Sequence, residues 1–270
     1  MSGCLEISLE SGRNNMTSIR RKDTDENGNP TPHKYYVTGD DRIKPTTGLP
    51  SCTTLASHVD GSSADGLMGW ALNLYQDTGN RLEYKESNER AIAIGKSLHA
   101  EIHEYVGTGQ TPNKASDLFG SWFSTVNEHG VDFLASEMLV YNGRLMYGGT
   151  IDAIGMVDGV PTLFDWKTTD EYRLERDSNG RLTGNQKSKR FDQDVKYAAQ
   201  IGGYMSALQE MGKREKTLIP TQAYILYVFK DTLKTKWVQV NVNKAVDVFE
   251  ESAKLHKMML GPKKGGLYAV

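Results

Sequence analysis

The sequence predicts an α/β domain with a mixed β-sheet, and three observations carry that prediction. Asn142-Gly143 and Asp158-Gly159 divide the centre of the chain into the apolar runs FLASEMLVY, LMYGGTIDAIGMV and VPTLFDWKT. Asn-Gly and Asp-Gly favour the positive-φ turns that join antiparallel strands, so the three runs read as a meander. Before the meander the apolar spacing is helical; after it come one helix, two strands and a last helix, an order that fits one sheet covered by helices.

Residues 1–50 are polar, rich in Gly, Asn, Asp and Thr, and carry Pro30, Pro32, Pro45 and Pro50. They read as an extended arm, with a hairpin available to MTSIRRK and HKYYVTG, rather than as a domain. SCTTLASHV starts on a serine and is a short helix candidate, and ADGLMGWALNLY is a second. In a third, NERAIAIGKSLHAEIHEYV, Ile94, Leu98, Ile102 and Tyr105 recur at helical spacing and predict one buried side. One domain is expected over residues 51–270, with a helical part over 51–130 and a core over 131–270. Beyond the meander, a polar segment from Asp170 to Lys196 leads into the helix KYAAQIGGYMSALQEM. The strands TQAYILYVF and KWVQVNV then turn around Asp231. The last helix starts near Asn243 and stops at Gly261-Pro262, a pair that ends helices.

Composition narrows the classes of function. The chain has 270 residues, 38% hydrophobic and 24% charged, with a formal net charge of -2. That is enough for a sizeable core, and any basic surface must be local. With only Cys4 and Cys52, one chain builds neither a disulfide framework nor a four-cysteine zinc or iron–sulfur site, which fits a reducing interior. No apolar run approaches the ~20 residues that span a bilayer, and MSGCLEISLE lacks the pattern of a signal or transit peptide. An intracellular protein without a membrane partner is expected.

The chemistry gathers around FDWKTT, Phe164 to Thr169. On a strand, residues i and i+2 share a face, so Asp165 and Lys167 project together while Phe164 and Trp166 turn away. Asp152, on the neighbouring strand of the hairpin, can sit across from Asp165. Two clustered carboxylates repel unless a cation lies between them, and Mg²⁺, which takes carboxylate, water and phosphate oxygens, answers that need. Lys167 would then stabilise phosphorane charge or help position and deprotonate a water. For the tripeptide alone, a solvated Asp-Lys pair is the plainer alternative. Glu137, a lone acid in the apolar LASEMLV, is either part of a cation site or the polar face of a strand. Gln200 and Tyr204 share one helix face, where an amide and a phenol can hold a phosphate, a base or a lysine; a core tyrosine is the other reading. His99 and His103 in HAEIH have the i, i+4 spacing of a zinc pair, but the zincin pattern needs Glu where Ala100 stands. His99 is therefore read as an active-site residue and His103 as lying at or near the surface.

PSCTT (Pro50 to Thr54), GKSLH (Gly95 to His99), GTID (Gly149 to Asp152), DWKT (Asp165 to Thr168) and QIGGY (Gln200 to Tyr204) follow one another along the chain. In these motifs the chain resembles the PD-(D/E)XK nuclease superfamily, in its RecB-type branch. The pattern is most similar to the mitochondrial genome maintenance exonuclease family and its phage and bacterial relatives, over roughly residues 50–260. The resemblance implies a restriction-endonuclease-like core, a central mixed sheet flanked by helices, with an N-terminal helical region. It implies metal ligation by Asp152, Asp165 and the backbone carbonyl of Trp166, with Glu137 and His99 completing the metal environment and Lys167 as the catalytic lysine. Gln200 and Tyr204 would orient substrate and Lys167, and Ser51 and Thr53 would contact phosphate near a helix start. Mg²⁺ is the implied cofactor, with Mn²⁺ as a substitute and no iron–sulfur cluster. The literal Pro-Asp of the superfamily name is missing, since Asp152 follows Ile151, as is usual in this branch.

Phosphodiester substrates require local positive charge. RLTGNQKSKR carries Arg181, Lys187, Lys189 and Arg190 with no acid, between the DWKT strand and the Gln200 helix, and reads as a DNA-guiding loop. Lys254, Lys257, Lys263 and Lys264 form a second cluster; ordinary solvated charge is the alternative for both. Trp70, Tyr75, Phe119, Trp122 and Phe123 are either stacking groups for an unpaired strand or core residues. The expected function is a metal-dependent DNA exonuclease acting at strand ends, with single-stranded or flapped DNA favoured. DNA repair, recombination or replication is the expected setting, and a single-strand-binding or recombination protein the expected protein partner. The alternatives are a double-strand exonuclease of phage recombination type and a catalytically idle DNA-binding factor with the same fold.

Overall fold

The computed structural model describes residues 6–9, 17–24, 28–59, 64–178, 181–191, 194–213 and 218–260, with backbone alone at 6–9, 30, 64–67, 69–70 and 259–260. The polar N-terminal segment holds a three-stranded antiparallel sheet of β1 (Glu6–Leu9), β2 (Thr17–Thr24) and β3 (Pro30–Thr38), one strand more than the hairpin read from the sequence. Several of its apolar residues turn inward. Ile19 from β2, Tyr35 and Val37 from β3, and Ile43 and Leu49 beyond it are all buried in the same core as the central strands.

Helix α1 (Cys52–Ala56) is short and capped by Ser51, whose Oγ accepts the Thr54 N–H at 3.0 Å. Helices α2 (Ala64–Thr78) and α3 (Glu83–Thr108) follow. In α3 the expected stripe is buried only at Leu98 and Ile102, while Ile94 is exposed. Helix α4 (Asp117–Glu128), which the sequence reading did not separate, buries Phe119, Trp122 and Val126 behind a Ser116 cap.

The meander forms through β4 (Asp132–Asn142), β5 (Tyr147–Val157) and β6 (Val160–Thr169), but after Asn142 the chain turns over four residues and the positive φ, 62°, falls on Met146 rather than on Gly143. Asp158 and Gly159 take φ values of 51° and 75°, the paired positive φ that suits a two-residue hairpin turn. The segment read as merely polar contains a hairpin, β7 (Tyr172–Arg176) with β8 (Leu182–Ser188). Helix α5 (Val195–Gly212) then crosses over to β9 (Gln222–Phe229), which β10 (Thr235–Gln239) and α6 (Val242–Leu260) follow. The Gly261-Pro262 stop lies outside the described residues.

The central sheet has the order β10-β9-β6-β5-β4, parallel only between β6 and β9. The crossover through α5 makes that pair parallel. A mixed sheet flanked by helices is the restriction-endonuclease-like class the sequence predicts. Its two faces carry separate cores. Leu163 packs with α1, α5, α6 and the N-terminal sheet, whereas Phe164 and Trp166 pack with Leu98, Ile102, Phe119 and Trp122. The two glycines of QIGGY set the spacing on the first face. A Cβ at Gly202 would fall 2.0 Å from the Ala245 carbonyl oxygen, and one at Gly203 would fall 2.3 Å from Cys52 Sγ. Among the described residues no helix is long and apolar enough to cross a membrane.

Candidate active site

Strands β5 and β6 pair only between Ala153↔Phe164 and Val157↔Val160. Past Phe164, β6 runs on with β9 alone, while β5 stays with β4 back to Tyr147, so the two strands part at Asp152. Asp152 Oδ2 accepts the Trp166 N–H at 2.7 Å, and a carboxylate thus stands where a strand backbone would otherwise pair. Asp165 and Lys167 project from β6 onto one face, opposite to the buried Phe164 and Trp166. Lys167 Nζ lies 2.5 Å from Asp165 Oδ2 and 4.8 Å over the Tyr197 ring. Asp165 is 0% exposed, and the contact with Lys167 is an ion pair by distance without hydrogen-bond alignment. Neither oxygen of Asp165 receives a hydrogen bond. Lys167 compensates the Asp165 charge, and the carboxylate keeps lone pairs for a further group.

Glu137 reaches the same place through an irregular backbone. Its φ is 52°, in the left-handed region, which costs a residue other than glycine about 1–3 kcal/mol. It sits between the pairs Ser136↔Ala153 and Met138↔Ile151 and therefore across from Asp152. Regular alternation would send Ser136 and Glu137 to opposite faces. Here both reach α3, Ser136 Oγ at 2.7 Å from His103 Nδ1 and Glu137 Oε1 at 3.7 Å from His99 Nδ1. The two histidines of HAEIH are thus matched by adjacent residues of β4, and His103 is exposed. His99 Nδ1 also lies 3.6 Å from Asp152 Oδ1. One turn earlier, Gly95 lets α3 close on β6, since a Cβ there would meet Thr168 Oγ1 at 3.2 Å.

Burial pushes the Asp152 carboxyl up to about 6, with Asp165 adding to the push while His99 and Lys167 oppose it. For His99, burial works against the charged form, but Asp152 and Glu137 outweigh it and raise the imidazole to about 9. Lys167 is likewise raised, because Asp165 and Asp152 overcome the effect of burial. His99, Glu137 and Asp152 each offer a ligand atom within 4.8 Å of the others. This mixed nitrogen and oxygen set, with the unsatisfied oxygens of Asp165 close enough to influence Asp152, fits a divalent cation.

Gln200 Nε2 donates to Tyr204 Oη at 2.6 Å, and both side chains are buried. The Tyr204 ring occupies the space over Gly149, where a Cβ would lie 2.8 Å away, so the glycine of GTID makes room for the tyrosine of QIGGY. Ser51 is buried and occupied as the α1 cap, with Thr53 exposed on the same helix. Lys189 Nζ donates to Thr169 Oγ1 at 3.1 Å, which fixes the end of the basic segment beside the end of β6. Arg181, Lys187 and Arg190 are exposed on or next to the β7–β8 hairpin. Arg176 ties that hairpin to α2 through two bonds to Asp77, at 3.2 and 2.5 Å. Asp152, Asp165, Lys167, Glu137 and His99 therefore form one cluster with Trp166, Gln200 and Tyr204 beside it, while Thr53, Arg181, Lys187 and Arg190 stand outside. Lys254 pairs with Glu251 at 2.6 Å and Lys257 is exposed; Lys263 and Lys264 lie outside the described residues. Phe119 and Trp122 are core, Phe123 packs against them and Tyr75 is exposed. The Trp70 side chain lies outside the described residues.

The sequence reading missed four residues at this site: Arg21, Tyr35, Thr150 and Tyr197, whose ring lies against Lys167 Nζ. Arg21 Nη1, from β2, donates to Thr150 Oγ1 at 3.1 Å and lies 3.8 Å from Glu137 Oε2. Tyr35 Oη shares a hydrogen bond with Thr150 Oγ1 at 3.1 Å, and burial pushes its phenol up to about 12, so it stays neutral. A signal existed for Arg21: it lies two positions from the apolar Ile19, which puts both on the inward face of a strand.

No family model and no curated protein matches the chain. Among solved structures it is similar to SSO0001, at 13% identity and a TM-score of 0.29 over 76% of this chain and 85% of that one. It is also similar to an alkaline exonuclease, LHK-Exo, from Laribacter hongkongensis, at 11% identity and a TM-score of 0.26 over 60% of this chain and 80% of that one. Likeness of this degree leaves the chemistry to be argued from the side chains.

Proposed function

We propose that the chain is a metal-dependent deoxyribonuclease of the RecB-type PD-(D/E)XK kind, an exonuclease that hydrolyses phosphodiester bonds from strand ends. One observation carries the reading. Where β5 leaves β6, Asp152 stands beside the ion-paired Asp165 and Lys167, and His99, Glu137 and Asp152 bring ligand atoms within 4.8 Å of one another. Asp152, Asp165, Glu137, His99 and the Trp166 carbonyl would hold the cation, Mg²⁺ by preference for oxygen ligands and Mn²⁺ as its substitute. A bound divalent cation supplies neutralisation of phosphate charge and a water acidified to near neutrality.

The chain's own groups do the rest. Lys167, kept charged by Asp165 and Asp152, is placed to donate to a non-bridging phosphate oxygen as negative charge builds there. Asp165 and the Tyr197 ring hold the ammonium in place. Gln200 and Tyr204, bonded to each other beside Gly149, would orient substrate and Lys167.

Preference for single-stranded or flapped ends is supported by the surroundings. The basic hairpin starts at the end of β6, and Arg176 links it to α2, whose partner α3 closes on β6 at Gly95. A single strand led between that hairpin and the α2–α3 pair would enter by its end, with the exposed Arg181, Lys187 and Arg190 and the half-buried Lys189 available to its phosphates. The test compares end-labelled linear, end-blocked and circular single strands of one sequence in Mg²⁺. Linear DNA alone should be degraded, from an end. Cleavage of the circle at a similar rate sinks the exonuclease reading, and inertness of all three substrates, in Mn²⁺ as well, sinks the nuclease.

A further inference from the structure

We propose, on the metal-dependent reading just given, that Arg21 is a positioning residue through which the N-terminal sheet holds Glu137 in the cation site. Glu137 needs such a hold for two reasons. Its left-handed backbone persists only if the surroundings over-determine it. Its carboxylate also faces Asp152, a like charge, across the strand pair.

Two groups from elements distant in sequence face the carboxylate. Oε1 faces His99 of α3 at 3.7 Å, and Oε2 faces Arg21 of β2 at 3.8 Å. Arg21 is itself fixed, with Nε 3.1 Å from Asp23 Oδ1 and Nη1 bonded to Thr150 Oγ1. A planar guanidinium held at several points presents its fork in one direction, which a flexible ammonium does not. The strand behind it is equally fixed. Ile19 and Val37 are fully buried, and Tyr35 lies over Gly148, where a Cβ would fall 2.4 Å from the Tyr35 Cγ. The Tyr35 hydroxyl then meets the same Thr150 that Arg21 bonds. The hairpin, Thr150 on β5 and Glu137 on β4 are thereby one hydrogen-bonded and ionic unit.

The experiment measures Mn²⁺ binding to the full chain by electron paramagnetic resonance, alongside DNA degradation, for wild type, Arg21→Met, Arg21→Lys and Ile19→Ala. Arg21→Met should weaken Mn²⁺ binding roughly tenfold and lower kcat about 10- to 100-fold, with KM for DNA little changed, as for the loss of a group that orients a metal ligand. Arg21→Lys, which keeps the charge without the fork, should fall between Arg21→Met and wild type. Ile19→Ala should lower Tm and leave Mn²⁺ binding alone. Unchanged or tighter Mn²⁺ binding in Arg21→Met overturns the proposal, since Arg21 would then only compete with the cation. Loss of Mn²⁺ binding in Ile19→Ala equal to that in Arg21→Met also overturns it, as an effect of hairpin packing. If Arg21→Met does not fold, Arg21→Lys decides, and its identity with wild type in both measurements counts against the fork. A wild type that binds Mn²⁺ and degrades no DNA refutes the nuclease reading alone, and the Mn²⁺ comparison still judges Arg21.

Discussion

Asp40, Arg42 and Glu210 make up one charged cluster of the molecule, and Asp152, Asp165, Lys167, Glu137 and His99 make up another. In the first, every carboxylate oxygen has a donor. The Arg42 N–H and Nε both bond Asp40 Oδ1 at 3.0 Å, and Nη2 bonds Oδ2 at 2.7 Å. Arg42 Nη1 and Lys213 Nζ then take the two oxygens of Glu210, at 2.5 and 3.1 Å. In the second, His99 stays 3.6 to 3.7 Å from its acids, and the Asp165 oxygens have no hydrogen bond. The acids respond in opposite senses. For Glu210, burial is outweighed by Arg42 and Lys213, and its carboxyl lies below the usual range, whereas burial drives Asp152 up to about 6. Similar residue types serve as a strut where they satisfy one another and as a site where they leave coordination open for a further group.

The largest test of this contrast is activity. If the proposed function holds, Asp165→Ala should lower DNA degradation by on the order of 10³-fold or more, as the loss of a proposed metal-binding carboxylate. Glu210→Gln should leave the rate within about twofold; a comparable fall in both variants would erase the distinction. Stability should show the reverse ranking. Arg42→Ala removes three bonds from buried Asp40 and one from Glu210, and should cost about 2–4 kcal/mol in urea unfolding. Asp152→Asn should raise the metal-free Tm at pH 8 by a few degrees while removing the Tm increase that Mn²⁺ gives the wild type. A lower metal-free Tm would show that the Asp152 charge is already well compensated.

Acid titration should give the smallest effect. A carboxyl depressed in the folded state contributes stability above its unfolded pKa and loses it as pH falls through the folded value. Wild type should therefore weaken on acidification below about pH 4.3 in part through Glu210, and Glu210→Gln should flatten that limb. Asp152 has the opposite sign. Its raised pKa removes stability from the metal-free protein as pH rises from about 4 to about 6, so the advantage of Asp152→Asn should grow across that interval. Parallel curves for the two variants would refute the opposition.

Much of this architecture was legible because it is local. The Asn142-Gly143 and Asp158-Gly159 turns set the meander, and i, i+2 alternation aimed Asp165 and Lys167 together with Trp166 behind them. Even there, the glycine of Asn142-Gly143 has a second duty that spacing does not reveal. A Cβ on it would fall 2.5 Å from Arg42 Nη2. The β7–β8 hairpin escaped notice because β8 is exposed along its whole length and carries no apolar alternation. Glu137 was legible as an acid in an apolar run, but its left-handed backbone, which aims it at His99, has no glycine or asparagine to announce it. Arg21 was hidden by distance, in a segment whose polarity outweighed the few residues that turn inward.

The Arg21–Thr150 bond joins positions 129 apart, and the Tyr35–Thr150 bond joins positions 115 apart. Contacts of such long range bear a large loop-closure entropy and tend to form late. A chain can therefore acquire its helices and meander before Glu137 is braced. On the proposed function, competence to cut DNA would then arrive with that long-range docking event, and a partly folded molecule would be a harmless one.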